Sequence, residues 1–288
     1  MQAVNFLFMK IFQQESALKD HLKKVNAGDI GLVPTMGALH AGHISLVEKS
    51  LNENQITVVS IFVNPTQFDN PEDLQNYPKT FEQDIKKLEA LNGKIVVFSP
   101  NASEIYGKEI KASHFDFDGL EHQMEGKYRT GHFDGVGTIV RRFFEIVMPD
   151  NAYFGEKDYQ QFLIVKTMAA KEKIPVNVVG CPIKREENGL AMSSRNERLS
   201  NELRNKAGII YKMLKTAKQK FGTESAYSIK EWVKKQFDAV EDFSLEYIEI
   251  ADAETLKTLK RKVENKKYRA FIAVYVEGIR LIDNIALN

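Results

Sequence analysis

The sequence predicts an α/β fold: a parallel sheet with helices on both faces, followed by a smaller α+β domain. Three observations carry this. From Ile30 onward, short apolar runs alternate with helix-periodic segments. The run Ile56–Val63 (ITVVSIFV) is β-branched and almost wholly apolar, as a strand buried on both faces requires. After about Lys184 the pattern changes to long amphipathic segments and alternating strands. The chain has 288 residues, more than the ~100–200 of one typical domain, so two domains are expected, 1–184 and 185–288.

Ile30–Val33 is the first strand of this reading, and Ile44, Val47 and Leu51 recur at helical spacing behind it. Ile56–Val63 is the second strand. Thr80 with Gln83 suggests a capping box opening a helix through Phe81, Ile85 and Leu88. Ile95–Phe98 is the next strand. Ile139, Val140, Phe143, Phe144 and Val147 mark a helix that Pro149 ends. Ala152–Phe154 and Val176–Val179 are further strands, separated by a helix carrying Phe162, Leu163, Val165 and Lys166. Beyond them, the polar stretch Lys184–Asn188 reads as a connector. A long helix is expected from near Ser200 (Ala207, Ile210, Leu214, Ala217) and a second around Trp232 and Phe237. Leu245–Ile250 alternates as a strand, and Arg269–Val276, Glu277-Gly278 and Ile279–Ile282 read as a terminal hairpin.

Composition narrows the class. Forty Lys+Arg against 39 Asp+Glu leave a net charge of +1, which gives no whole-chain reason to expect a nucleic-acid or membrane partner. A hydrophobic content of 43% is enough for a sizeable core. Cys181 is the only cysteine, so no intramolecular disulfide can form, and the count fits a reducing compartment. No apolar run approaches the ~20 residues of a membrane-spanning helix. The opening MQAVNFLFMKIF lacks a basic n-region and a small-residue cleavage site, so no signal peptide is read and a cytoplasmic location is expected; Met9 is an alternative start.

In a parallel sheet, ligands bind at the carboxyl ends of the strands, so the loops there are the candidates. Pro34-Thr35-Met36-Gly37-Ala38-Leu39-His40-Ala41-Gly42-His43 lies between the first strand and its helix, where free N–H groups favour an anion. His40 and His43 are expected on one face of the first turn, with Gly42 leaving room for a phosphate or nucleoside. Two imidazoles there can donate to phosphate oxygens. Read alone, H-x-G-H favours a pair of surface histidines with a turn glycine; its strand–helix context shifts the reading to a nucleotide site.

Phe62-Val63-Asn64-Pro65-Thr66-Gln67-Phe68 follows the second strand and brings the amides of Asn64 and Gln67 to the same edge; the plain alternative is an Asn-Pro turn. Phe154-Gly155-Glu156-Lys157-Asp158 leads into a helix with Gln160 and Gln161. Gly155 permits close approach, Lys157 can reach phosphates and Asp158 can accept from ribose hydroxyls, although the string read alone is better explained by an ordinary N-capped helix with a solvated lysine. Met192-Ser193-Ser194-Arg195-Asn196 offers hydroxyls and a guanidinium to a phosphate where the domains join. No Walker A pattern, no G-x-G-x-x-G and no Cys/His cluster of zinc spacing is present. His21, His114 and His122 read as surface residues, and His132 as a support for the nearby loop.

Taken together and in this order, PTMGALHAGH, FVNPTQF, FGEKDYQQ and MSSRN resemble the pantothenate synthetase (pantoate–β-alanine ligase) family of the H-x-G-H nucleotidyltransferase superfamily. The motifs run from about Lys10 to Asn196. The resemblance implies a Rossmann-like parallel-sheet nucleotide-binding domain, a homodimer and a mobile C-terminal lid. It implies an ATP-dependent condensation of pantoate with β-alanine through a pantoyl adenylate, releasing AMP and pyrophosphate, with Mg²⁺ bound through the ATP phosphates and no protein metal site.

Carried over by motif, Met36, Gly37, Ala38, Leu39, His40, Ala41, Gly42 and His43 line the ATP phosphates, with His40, His43 and Lys157 catalytic. Gln67 and Gln161 hold pantoate, and Gln67 also borders β-alanine. Gly155, Glu156, Lys157 and Asp158 contact ATP, the Lys184 backbone faces adenine, and Met192, Ser193, Ser194 and Arg195 complete the phosphate site. One departure is Thr130 in Tyr128-Arg129-Thr130-Gly131-His132-Phe133, where the family commonly has proline. A related enzyme passing AMP to a phosphorylated acceptor is the nearest competing reading; the uncharged Gln67 and Gln161 speak against it. An RNA-binding module is a second, opposed by the balanced charge.

Overall fold

The computed structural model describes residues 9–25 and 28–288; the reading made on the first eight residues lies outside them. The chain forms two compact units. The first takes the chain up to Phe117, Thr130–Gly155 and Ile164–Cys181, and the second takes Asp118–Arg129, Glu156–Leu163 and Pro182–Asn288. Two segments that precede residue 184 in the chain are thus part of the second unit. No helix among the described residues is long and apolar enough to cross a membrane.

The first unit is built on a six-stranded parallel sheet: β1 (Lys10–Phe12), β2 (Ile30–Thr35), β3 (Ile56–Ile61), β4 (Ile95–Phe98), β5 (Asn151–Gly155) and β6 (Asn177–Cys181). The order is β1-β4-β3-β2-β5-β6. Successive strands therefore run outward from β2 to β4, and the chain then returns to place β5 on the other side of β2. The carboxyl ends of β2 and β5 flank the point where strand order reverses, the usual place for a ligand in an open α/β sheet. All six residues of β3 are buried, including Thr57 and Ser60, as a nearly continuous apolar run in mid-sheet implies.

Val33, Val59, Val97 and Tyr153 pack with Leu39, Leu46, Val47 and Leu88 on one face. Alternate residues face the other way, where the Phe143 ring of the helix His132–Val147 meets Phe98 and Phe62 edge-on, with centroids 6.1 and 6.3 Å apart. Edge strand β1 was not anticipated, because three mostly exposed residues give no periodic signal.

The expected capping box at Thr80 does not form. Thr80 is the N-cap of the helix Phe81–Glu89 but makes no capping bond; its hydroxyl donates to Asp84 Oδ1 at 3.1 Å instead. Asp84 has other partners to hold, which draws Thr80 away from the helix amides.

The second unit is a three-stranded antiparallel sheet, β7 (Phe243–Asp252), β8 (Tyr268–Val276) and β9 (Ile279–Ala286), in that order. The helices Ile209–Phe221 and Ala226–Asp238 bury Ile210, Leu214, Ile229, Val233 and Phe237 against Ile248, Ile250, Ile272 and Val274. Glu277 and Gly278, at φ 50° and 74°, make the tight primed turn that suits the twist of the β8–β9 hairpin.

The single helix expected from Ser200 is two, Asn201–Lys206 and Ile209–Phe221. Asn188 explains the break: its Nδ2 donates to the carbonyls of Arg204 and Asn205 at 2.8 and 3.1 Å, ending the first helix. Its own carbonyl lies where a Cβ on Gly208 would stand, 2.4 Å away. Lys184–Asn188, expected as a connector, is one arm of a hairpin bridged from Arg185 to Ala191.

Candidate active site

In the first unit the turn after β2 is held from beneath. Gly37 and Ala38 both take positive φ, 81° and 48°, which costs Ala38 backbone strain. Asp84, fully buried, offsets it by accepting the Ala38 and Leu39 amides at 2.9 and 2.7 Å, one on each carboxylate oxygen. Lys87 Nζ donates to the Leu39 carbonyl. Thr35 Oγ1 donates to the Ser60 carbonyl at 2.7 Å and accepts from Gly37 N–H at 3.2 Å, tying the turn to β3. The Leu39 side chain belongs to the core, so only its backbone faces the turn.

His40 is the N-cap of the helix Ala41–Glu53. Its Nδ1 accepts from Gly42 N–H at 3.1 Å, and His43 Nδ1 accepts from His40 N–H at 3.4 Å. The two rings lie with centroids 4.0 Å apart at 33°, so the expected shared face is present. A nitrogen that accepts a backbone N–H is unprotonated, so in the neutral rings the proton sits on Nε2. The turn thus carries two side-by-side imidazole donors at a helix N-terminus, an arrangement suited to anionic oxygen.

Beside them, Asn64 is almost completely buried; its Nδ2 donates to Gln67 Oε1 and to the Gly135 carbonyl, both at 3.1 Å. Gln67 Nε2 lies 3.3 Å from Met36 Sδ, which joins the amide loop to the histidine turn. His132, as expected, is a support: its Nδ1 is 2.8 Å from the Gln67 carbonyl. Gly155 ends β5 in open space, with no atom within 4 Å of a Cβ built there.

In the second unit, strand β9 carries both remaining loops, Glu156–Asp158 and Ser194–Arg198. Asn284 donates from Nδ2 to the carbonyls of Glu156 and Lys157 at 2.8 and 2.9 Å. Arg269 Nη2 reaches Glu156 Oε2 at 3.1 Å, with its guanidinium 3.9 Å over the Tyr159 ring. Asp283 is gripped by Arg185 at 2.6 and 3.0 Å; burial pushes its carboxyl up, against the pull of that guanidinium. Lys157 Nζ contacts Asp158 at 3.2 Å.

Ser193 caps the Ser194–Arg198 turn, and buried Asn196 fastens it to Glu186 and the Ala191 carbonyl at 2.8 and 3.1 Å. The Lys184 carbonyl accepts from Met192 N–H at 3.0 Å, so the backbone of both lies in one hairpin. Gln160 and Gln161 part company. Gln160 is buried on Leu120, Gln123 and Glu125, whereas Gln161 is only half-buried. His114 and His122 are exposed as expected, but His21 is half-buried, stacked on Phe12 at 5.1 Å.

Sequence reading missed Asp84, Tyr106 and Asn284. Asp84 left a signal, an acid on the apolar stripe of Phe81, Ile85 and Leu88; the possible capping box drew attention away from it. Asn284 left a fainter one, a polar residue in a strand with a buried face, and Tyr106 left none.

A parallel sheet whose strand order reverses at an H-x-G-H turn is the framework of the H-x-G-H nucleotidyltransferases, and this is the class that fold and turn define. The family model described as pantoate-beta-alanine ligase matches residues 10–286. A pantothenate synthetase of Flavobacterium psychrophilum is 57% identical over 97% of this chain and 100% of its own length, and one of Christiangramia forsetii is 54% identical over the same shares. A crystal structure of pantothenate synthetase from Thermus thermophilus superposes with a TM-score of 0.89 at 38% identity, covering 97% of this chain and 99% of that one. A Francisella tularensis pantoate-beta-alanine ligase, complexed with beta-gamma ATP and beta-alanine, superposes with a TM-score of 0.78 at 33% identity, covering 97% and 98%. The chain belongs to the pantoate–β-alanine ligase family, whose reaction joins pantoate and β-alanine to give pantothenate.

Proposed function

We propose that this chain carries out the ligation in two steps through a pantoyl adenylate. The pantoate carboxylate attacks the α-phosphorus of ATP; the new P–O bond forms as the bond to the β-phosphate oxygen breaks, and pyrophosphate leaves. The β-alanine amine then attacks the acyl carbon, AMP departs with the anhydride oxygen, and the amine proton goes to solvent. A carboxylate is already nucleophilic at neutral pH, so the first step needs alignment and charge stabilisation more than a base. The observation that carries the reading is the His40–His43 pair at the helix N-terminus, with both Nδ1 atoms accepting backbone amides, which sets the ring protons on Nε2.

In this reading His40, His43 and Lys157 stabilise the departing pyrophosphate, with Ser193, Ser194 and Arg195. Met36–His43, Gly155–Asp158, Lys184 and Met192–Arg195 bind ATP, Gln67 and Gln161 hold pantoate, and Gln67 borders β-alanine. The Francisella relative's complex with ATP and β-alanine supports both as substrates. Among the described residues no group of three or more His, Cys, Asp or Glu side chains is placed to hold a metal. Mg²⁺ would arrive on the ATP phosphates, where it would neutralise part of their charge. Residues 1–184 would bind nucleotide and acid, and 185–288 would act as a lid excluding water from the anhydride. A homodimer in the cytoplasm completes the reading.

The test is AMP and pyrophosphate release from ATP with Mg²⁺, omitting pantoate and β-alanine in turn. AMP release that needs both, with pyrophosphate exchange into ATP that needs pantoate alone, is expected. Release indifferent to both compounds refutes the ligase, and exchange that also requires β-alanine refutes the adenylate.

A further inference from the structure

The amide loop of the first unit is wired to a residue outside every motif. Asn64 has its orientation set by the backbone: its Oδ1 accepts from Thr66 N–H at 3.4 Å, and its Nδ2 donates to the Gly135 carbonyl at 3.1 Å. Neither backbone group can exchange roles, so the amide has one sense. Gly135 makes this possible, because a Cβ there would stand 2.3 Å from the Thr66 carbonyl.

Two consequences follow from that sense. Asn64 Nδ2, a donor, faces Gln67 Oε1 at 3.1 Å, so Gln67 turns its Nε2 end the other way, toward Met36. Asn64 Oδ1, an acceptor only, faces the Tyr106 hydroxyl, which must donate to it. Thr66 Oγ1 joins the same oxygen at 3.1 Å and lies 2.9 Å from the Tyr106 hydroxyl. Burial raises the Tyr106 phenol above its usual range, so it keeps its proton at neutral pH.

We infer that Tyr106 is a positioning residue for acid recognition: its hydroxyl, through Asn64, locks the Gln67 amide with its N–H₂ end presented as a donor to the oxygens of the acid substrate. A locked donor discriminates, because an acid oxygen at that place accepts from the half-buried amide, whereas a donor group there would face another donor. The inference rests on the assignment of Gln67 to pantoate, and goes beyond it in naming what fixes the amide.

The experiment compares Tyr106→Phe, Gln67→Ala and the double variant in the full-length enzyme, reading KM for pantoate and for ATP separately, with the thermal midpoint of each protein. Tyr106→Phe keeps the ring packed on Phe62, whose centroid is 6.5 Å away. It should raise KM for pantoate about five-fold, the worth of one hydrogen bond, with KM for ATP and the melting midpoint unchanged. Adding it to Gln67→Ala should raise KM no further. If Gln67→Ala raises KM for pantoate while Tyr106→Phe does not, or if the two changes multiply, the relay is overturned and the Gln67 assignment stands. If Gln67→Ala leaves KM for pantoate unchanged, the assignment itself falls and the relay with it. A parallel rise in KM for ATP would mark a general structural role and also overturns the proposal.

Discussion

Asp84 and Leu39 stand 45 residues apart, and the Asp84 carboxylate accepts the Leu39 amide at 2.7 Å while its other oxygen takes the amide of Ala38. One buried carboxylate thus holds the two peptide groups that aim the H-x-G-H turn. Because Ala38 sits at φ 48°, the turn is a strained conformation kept in place by an acceptor from another helix, and the histidines inherit its geometry.

Replacing that acceptor tests the link. Asp84→Asn keeps the volume but swaps one oxygen for an amide donor facing a backbone N–H. We expect a loss of about 1–3 kcal/mol in stability, the cost of leaving a buried donor unpaired, together with a fall in turnover larger than the fall in folded fraction. Urea unfolding and steady-state rates on the same preparations check this. Wild-type turnover in a destabilised protein would show that the turn does not depend on Asp84.

The two histidines should respond differently. His40 is the helix N-cap, so His40→Ala removes a cap worth about 1 kcal/mol as well as a donor. His43 lies inside the first turn and makes only the reciprocal half of the capping box, accepting the His40 N–H at 3.4 Å, the longer of the two bonds. His43→Ala should therefore lower pyrophosphate exchange at least ten-fold, toward the ~10²–10³ of a lost charge-stabilising donor, with the melting midpoint little changed. Exchange within two-fold of wild type would remove His43 from the chemistry.

Much of this was legible in the sequence because it is local. The β-branched run Ile56–Val63 could be little else than a buried strand, and three of the four candidate loops sit at or just past strand ends. The H-x-G-H pair shows its shared face through simple helical spacing. What escaped was non-local or short. Strand β1 has three residues and no period, and exists because β4 offers it a parallel edge. Thr80–Gln83 had the pattern of a capping box, but the stronger claim on Thr80 came from Asp84, whose partners lie 45 and 46 residues away. Gly208 passes in a helical pattern until Asn188, 20 residues upstream, is seen to lie against it. Side-chain-to-backbone bonds across such separations leave no mark on periodicity.

The acid stability of the second unit should depend on Asp252. Its carboxylate accepts from Lys266 Nζ at 2.8 Å and from the Glu254 and Thr255 amides at 3.0 and 2.9 Å. Burial pushes the carboxyl up, but these bonds outweigh it and hold the pKa at about 2, below its ordinary 3.8. The unfolded chain then takes up a proton before the folded one. The contribution is complete above 3.8 and is lost as pH falls toward about 2. Asp252→Asn should lower stability at neutral pH and flatten the stability curve across that window. Parallel wild-type and variant curves through the window would show that Asp252 is not the group concerned.

Asn284 offers the sharpest test of how the second unit presents Lys157. Both peptide carbonyls flanking that lysine's placement, those of Glu156 and Lys157, hang on the one Nδ2 of Asn284, which is itself 2% exposed. Its Oδ1 is in turn held by Arg269, and Asp283 beside it by Arg185. Asn284→Ala removes both carbonyl bonds without touching the lysine side chain. If Lys157 acts on the phosphates, the variant should show a raised KM for ATP and slower adenylate formation, with KM for pantoate spared. Asn284→Asp should behave no better, since a carboxylate cannot donate to a carbonyl. Lys157→Ala supplies the reference: combining it with Asn284→Ala should add little, because the loop's position no longer matters once the charge it presents is gone. Fully additive losses in the pair would mean that Asn284 serves the fold of β9 and not the lysine.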